Sequence, residues 1–286
     1  MGVVNVTPDS FSDGGRYVDP EAAVAHGRDL LAQGADILDV GGESTRPGAT
    51  RPLVDEELGR VLPVISALAA EGARVSVDTM RAEVAARAVE AGASIVNDVS
   101  GGLADPAILD VVADAGVTYV AMHWRAHSEH MQRWARYDGP GGVVAAVRDE
   151  LAARVEAALA AGIGAERLVL DPGLGFAKLA EHNWQLVRRL DVVASLGLPL
   201  LVGASRKTFL GHLLADAEGA PRPVGEREAA GVALTALLAA GLGGAPVWCL
   251  RVHDVRAHVD ALAVAAQWAL PAGPDRPQHH HDQEHR

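Results

Sequence analysis

Cysteine is nearly missing from this chain: 286 residues hold one, Cys249. A lone thiol closes no internal disulfide, so a disulfide scaffold is excluded and a reducing compartment, the cytoplasm, is expected. Lysine is almost as scarce, with Lys178 and Lys207 alone among 25 basic residues. No apolar run approaches the roughly 18 residues that span a bilayer, because Asp, Arg and Gly interrupt each candidate. No membrane association is therefore expected. The start, Met1-Gly2-Val3-Val4-Asn5, has no basic stretch leading into an apolar one, so no secretory signal is expected either. Basic charge is outweighed by 37 acidic residues, giving a formal net charge of −12. Such a surface repels phosphate backbones, and no nucleic-acid partner is expected. A small anionic ligand held by a few local cations remains compatible with it.

What is present is an ordinary globular composition, 49% hydrophobic and 22% charged. Short β-branched runs near 2–6, 37–40, 74–77, 94–97, 118–122, 168–170, 199–202 and 246–252 read as strands. Most are continuously apolar, as strands covered on both faces are. Between them lie helical patterns near 20–33, 55–70, 81–90, 105–115, 143–161, 181–195, 226–240 and 256–270. Gly34, Gly72, Gly92, Gly116 and Gly162 stand where helices should stop. Strand-then-helix repeated eight times predicts an α/β chain folded as an eight-stranded parallel (β/α)8 TIM barrel, with an open doubly wound sheet as the alternative. Met1 sits only four residues before Asn5, so the first strand looks clipped. Residues 1–270 are expected to form one catalytic domain. The stretch 271–286, rich in Pro and then His (His279, His280, His281, His285), is expected to be a disordered tail.

A parallel barrel places its active site at the C-terminal strand ends. Polar and glycine-rich clusters occur there in strand after strand: Asn5 with the run to Gly15, Asp39 through Gly48, Asp78-Thr79, Asn97-Asp98, His123, Asp171 through Lys178, Ser205-Arg206-Lys207, and Arg251 through Asp254. Asp78, Asn97 and Asp171 each close an apolar strand and should point into the barrel mouth, although an Asp before a helix also serves as a cap. Carboxylates beside an amide suit a flat heterocycle with donor and acceptor edges. Lys207, Arg251 and His253 follow strands seven and eight, where barrels commonly hold phosphate; a surface pairing of Arg251 and His253 with Asp254 is the alternative. Gly14-Gly15 and Gly41-Gly42 allow sharp turns and loops that close over a substrate. Asn5 offers one amide oxygen to a hard cation such as Mg²⁺, which takes its other ligands from water and phosphate. No His/Cys cluster has zinc spacing, and Gly173-Leu174-Gly175 lacks the third glycine of a dinucleotide fingerprint.

Taken together, these clusters resemble the dihydropteroate synthases of bacterial folate synthesis. The matching segments are Asn5 through Gly15, Gly41 through Gly48, Ser76 through Thr79, Asn97 through Gly102, Asp171 through Lys178, Gly203 through Lys207 and Arg251 through Val255. The first two loop motifs are the most specific. Met122-His123-Trp124-Arg125 departs from the commoner Met-His-x-x-Gly-x-Pro form and resembles actinobacterial members.

The resemblance implies a transferase that joins 6-hydroxymethyl-7,8-dihydropterin diphosphate to 4-aminobenzoate with release of pyrophosphate, and a sulfonamide target. It implies that Asp78, Asn97, Asp171 and Lys207 hold the pterin edge, with Met122 and Phe176 lining its pocket. Arg251 would stack on the pterin and meet the diphosphate with His253. Arg46 would also reach the diphosphate, and Asp13 would lie near the reacting methylene. These two, with Lys207, Arg251 and His253, form the expected catalytic set. Phe11, Thr45, Pro47 and Ser205 would frame 4-aminobenzoate, Asn5 would ligate Mg²⁺, and the enzyme would be a homodimer through outer helices. Pterin-dependent methyltransferases share the barrel and the pterin-facing acids but lack the two long loops. A silent paralogue should have lost loop or diphosphate residues, and none is missing.

Overall fold

The computed structural model describes residues 1–7, 19–43, 51–126 and 134–270. Six parallel strands follow in chain order: β1 Gly2–Asn5, β2 Leu38–Gly41, β3 Val75–Asp78, β4 Ile95–Asp98, β5 Thr118–Met122 and β6 Leu168–Asp171. A parallel pair completes them, β7 Leu201–Val202 and β8 Cys249–Leu250. The circle closes on both sides. Leu170 bridges to Leu200, and Gly2 bridges to Val252. There the Val3 amide donates to the Val252 carbonyl at 3.0 Å, and the Met1 ammonium donates to Leu250 at 3.0 Å. The α/β barrel read from the sequence is the fold, and the first strand pairs along its whole length with β2.

The last two strands are shorter than their apolar runs. Pro199 and Pro246 have no N–H to give a ladder. The amides of Trp248 and Cys249 both converge on the Leu200 carbonyl, a two-against-one pattern that interrupts regular pairing. One expected helix, 181–195, is instead two, Ala180–Arg188 and Leu190–Ala194. The break falls at Arg189, where the Leu190 amide leaves the helical ladder to donate to the Gly243 carbonyl at 3.0 Å. A further short helix, Thr208–Leu213, precedes the expected one at Glu228–Ala239. All five stop glycines adopt positive φ, from 66° at Gly116 to 111° at Gly92.

Strand periodicity positions the site. Met1, Ile37, Ile95, Val120, Val169, Leu201 and Cys249 form one buried cluster. Side chains two residues apart share a strand face, so the next inward layer from the later five strands and β2 is Asp39, Asn97, Met122, Asp171, Gly203 and Arg251. Val3 and Asn5 continue the column from Met1, and Asp78 continues it from Ser76. An apolar plug therefore fills the barrel's lower part, and the polar layer lies directly above it, toward the C-terminal strand ends. The larger cluster of Val, Leu, Ile and Ala packs the strands' other face against the helices.

Candidate active site

A cleft of about 850 Å³ opens at the C-terminal strand ends, within the size range of small-molecule sites. It is lined by Asn5, Asp78, Asn97, Met122, Asp171, Phe176, Ser205, Lys207, Arg251 and His253, so ten residues picked out in the sequence are brought together. Phe11, Asp13, Thr45, Arg46 and Pro47 lie outside the described residues, as does the stretch 271–286.

Arg251 organises the cleft floor. Its Nε donates to Asp39 Oδ2 at 2.6 Å and its Nη2 to Asp78 Oδ2 at 2.8 Å. Arg251 thus pairs with Asp39 and Asp78 rather than with Asp254, which caps the helix Val255–Ala269 by accepting from Ala257 N. Asn97 Nδ2 also donates to Asp39 Oδ2, at 3.0 Å, which turns its amide oxygen away from that partner. Burial pushes Asp78 up to about 7, against the pull of Arg251. Burial works against the Arg251 charge too, but Asp39 and Asp78 outweigh it and hold the guanidinium charged.

Asp171 is the last residue of β6, and its side chain reaches into the turn that follows. Burial raises its pKa, while the Gly173 amide, donating to Oδ1 at 2.7 Å, and the charge of Lys207 favour the carboxylate. Lys207 lies with Nζ 4.1 Å from the centre of the Phe176 ring, a cation–π contact. Burial and the nearby Arg251 charge bring it down to about 8. Phe176 in turn packs on the apolar trio Met80, Val99 and Met122. Ser205 Oγ and His253 Nδ1 are 3.0 Å apart at the rim.

The cleft thus presents carboxylates, an amide, an ammonium and a guanidinium over an apolar wall. Flat heterocycles with several N–H donors and acceptors are matched by such a surface, and the cations suit a phosphorylated tail. Among the described residues no three His, Cys, Asp or Glu side chains gather as a metal site. Asn5 offers its amide oxygen at the cleft, a donor that fits an ion taking most ligands from water and phosphate.

Two expectations need revision. Gly41 and Gly42 are not in the left-handed region; they are small for closeness. A Cβ on Gly42 would lie 2.9 Å from Val61 Cγ1, and one on Gly41 would lie 3.4 Å from Asp78 Cβ. Asp98, beside Asn97, turns away from the cleft and accepts from Tyr119 Oη and Ser100 Oγ at 2.7 Å each. Two buried residues had no place in the sequence-derived site. Asp39 was detectable by its parity with Ile37 in the inward column. Lys178 stood out through the rarity of lysine and as the end of the cluster that begins at Asp171.

Comparison with known proteins agrees with this geometry. Residues 1–253 match the family described as pterin binding enzyme. The dihydropteroate synthase of Mycobacterium leprae is 55% identical over 276 residues, covering 96% of this chain and 94% of that protein. A structure of Xanthomonas albilineans dihydropteroate synthase with 4-aminobenzoic acid superposes with a TM-score of 0.83 at 47% identity, covering 95% of this chain and 93% of that one. The Xanthomonas enzyme in complex with 7,8-dihydropteroate superposes with a TM-score of 0.79 at 44% identity, covering 95% and 94%.

Proposed function

Because this chain belongs to the pterin-binding enzyme family, as a member of its dihydropteroate synthase branch, we propose how its own residues carry out that activity. The reaction condenses 6-hydroxymethyl-7,8-dihydropterin diphosphate with 4-aminobenzoate, giving 7,8-dihydropteroate and pyrophosphate.

The observation that carries the residue assignment is the polar lining of one cleft: Asp78 and Asn97 paired on adjacent strands, with Asp171 and Lys207 lining the same cleft. The pterin's N–H edge donates to Asp78 and Asp171, and its acceptors meet Asn97 and Lys207. Met122 and Phe176 wall its faces, and Arg251 stacks on the ring plane. Arg251 from the floor and His253 from the rim face the diphosphate, where negative charge grows as the carbon–oxygen bond breaks. Preorganised donors are worth most for that developing charge. The pterin delocalises the positive charge left on its methylene, and the arylamine of 4-aminobenzoate then attacks and loses a proton. Ser205 frames 4-aminobenzoate. Phe11, Asp13, Thr45, Arg46 and Pro47, outside the described residues, take the roles the family resemblance implies.

Asn5 would hold Mg²⁺, which supplies charge neutralisation of a leaving diphosphate when bound. The enzyme acts in the cytoplasm, a reading supported by the single buried thiol and by the lack, among the described residues, of any helix long and apolar enough to cross a membrane. Residues 1–270 are taken as one catalytic domain. A homodimer through outer helices is supported by exposed Leu237, Val264 and Trp268 on the packed helices Glu228–Ala239 and Val255–Ala269.

The test is pteroate formation from the two substrates with and without Mg²⁺. Mg²⁺-dependent product is expected. A folded protein that binds pterin yet makes no product would favour a silent paralogue.

A further inference from the structure

Lys178 is one of only two lysines in the chain, and the reaction outlined above uses the other. Its side chain is buried at 3% exposure. Its Nζ lies 2.8 Å from His123 Nδ1, 2.9 Å from the Gly173 carbonyl and 3.0 Å from the Phe176 carbonyl. An ammonium has three donors, and these three protein acceptors match them. With Nδ1 accepting, His123 carries its proton on Nε2 and presents it to Glu150 Oε2 at 2.9 Å. Arg125 pairs with the same carboxylate. Lys178 itself borders the substrate cleft, but its three donors are taken by these protein acceptors. His123 and Glu150 line a separate pocket of about 180 Å³, so the ammonium is oriented from outside the cleft.

Both carbonyls belong to the loop that follows β6. The Gly173 amide holds Asp171 Oδ1, and the Phe176 ring holds Lys207 through its π face. The loop does not take this shape unaided. Gly173 sits at φ 67°, where a Cβ would drive into the His123 carbonyl oxygen, and Ala177 sits at φ 47°, unfavourable for an L-residue with a side chain. Lys178 spans the loop from one end to the other and ties both ends to the His123 strand end.

We infer that Lys178 is a positioning residue: its ammonium sets Asp171 and Phe176 in the geometry that receives the pterin edge while making no contact with the substrate itself. The inference rests on the pterin-cleft reading above. Asp171 also opposes the burial that brings Lys178 down to about 7, so carboxylate and ammonium sustain one another's charge.

Lys178→Ala tests this. Binding of 6-hydroxymethylpterin should weaken by about tenfold or more, the scale of lost charge-assisted hydrogen bonds, while the KM for 4-aminobenzoate stays within about twofold. Propylammonium should enter the vacated slot and restore pterin binding, whereas propanol should not. Wild-type pterin affinity in the variant overturns the inference, and so does a loss that propylammonium leaves unrepaired. Should the variant not fold, the wild-type protein labelled with ¹⁵N-lysine gives two ammonium signals, assigned with Lys207→Arg. Added 6-hydroxymethylpterin should shift the Lys207 signal and leave Lys178 nearly in place. A Lys178 signal that moves more than that of Lys207 means direct contact and overturns the positioning role. Wild-type protein that binds no pterin at all would instead remove the reading on which the inference rests.

Discussion

Arg251 donates through Nε to Asp39 at 2.6 Å, a partly buried pair between residues 212 positions apart. The same Asp39 oxygen accepts from Asn97 Nδ2, and its other oxygen, Oδ1, is buried with no hydrogen-bond partner. One carboxylate therefore sets the plane of the guanidinium and the rotamer of the amide. A buried oxygen without a partner in the protein is costly, so the Asp39 carboxylate holds the cleft floor at the expense of stability.

Replacing Asp39 by Asn keeps the shape and removes the charge. Arg251 would keep Asp78 but lose its tether, and the new amide would face Asn97 with a donor or a weaker acceptor. We expect kcat/KM for the pterin diphosphate to fall roughly tenfold to a hundredfold, the range for a hydrogen bond to a charged group. The KM for 4-aminobenzoate should change little. Steady-state kinetics with each substrate varied in turn would decide it; equal damage to both KM values would count against a pterin-side role.

The pH dependence of kcat/KM for the pterin diphosphate should be bell-shaped. Burial holds Asp78 up at about 7, so acidification protonates it and removes an acceptor for the pterin edge. Burial and Arg251 hold Lys207 down at about 8, so alkali neutralises its ammonium. Lys207→Arg keeps a cation throughout, and its profile should lose the alkaline limb. A limb that survives this substitution belongs to another group.

Acid should weaken the folded protein through His123. Burial pushes the ring down to about 4 from its ordinary 6.5, so the unfolded chain takes up the proton first. The stability held by the neutral ring is complete above 6.5 and is lost as the pH falls toward 4, on the order of 3 kcal/mol. Burial works against the Glu150 charge, but hydrogen bonds from His123 and Arg125 outweigh it and hold the carboxyl at about 2; its contribution is present above 4.5 and is lost as the pH falls through 2. The raised pKa of Asp78, from burial, acts in the opposite sense, so a variant is needed to isolate the ring. Urea midpoints of His123→Gln should drop less between pH 7 and pH 5 than those of the wild type. Parallel drops would assign the acid sensitivity elsewhere.

Trp268 is 83% exposed on the last helix, with Val264 one turn before it at 66%. In the proposed dimer this face is covered, and Trp268→Glu would place a charge inside it. Sedimentation velocity should show a dimer for the wild type and a monomer for the variant. A wild-type monomer at high concentration would dispose of the dimer, and a variant that stays dimeric would move the interface to another face.

The sequence by itself determined what depends on local geometry and on period. Parallel strands followed from apolar runs too short and too continuous for anything but doubly covered β structure, and the five stop glycines all adopt the left-handed conformation that L-residues resist. The cleft-lining layer at Asp78, Asn97 and Asp171 was legible because each lies at or next to the C-terminal end of its strand on the inward face. Tertiary structure alone decided which of these groups meet. That Arg251 takes Asp39 and Asp78 rather than its neighbour Asp254 depends on barrel closure across β1, which brings β8 and β2 to either side of one strand. The Lys178 ammonium finds His123 across 55 residues. The helix break at Arg189 follows from the Gly243 carbonyl, 53 residues beyond Leu190 in sequence, taking its amide. Backbone propensities act over a few residues, whereas a buried charge or amide is satisfied by whatever the packed chain brings within about 3 Å, and no local pattern encodes that partner.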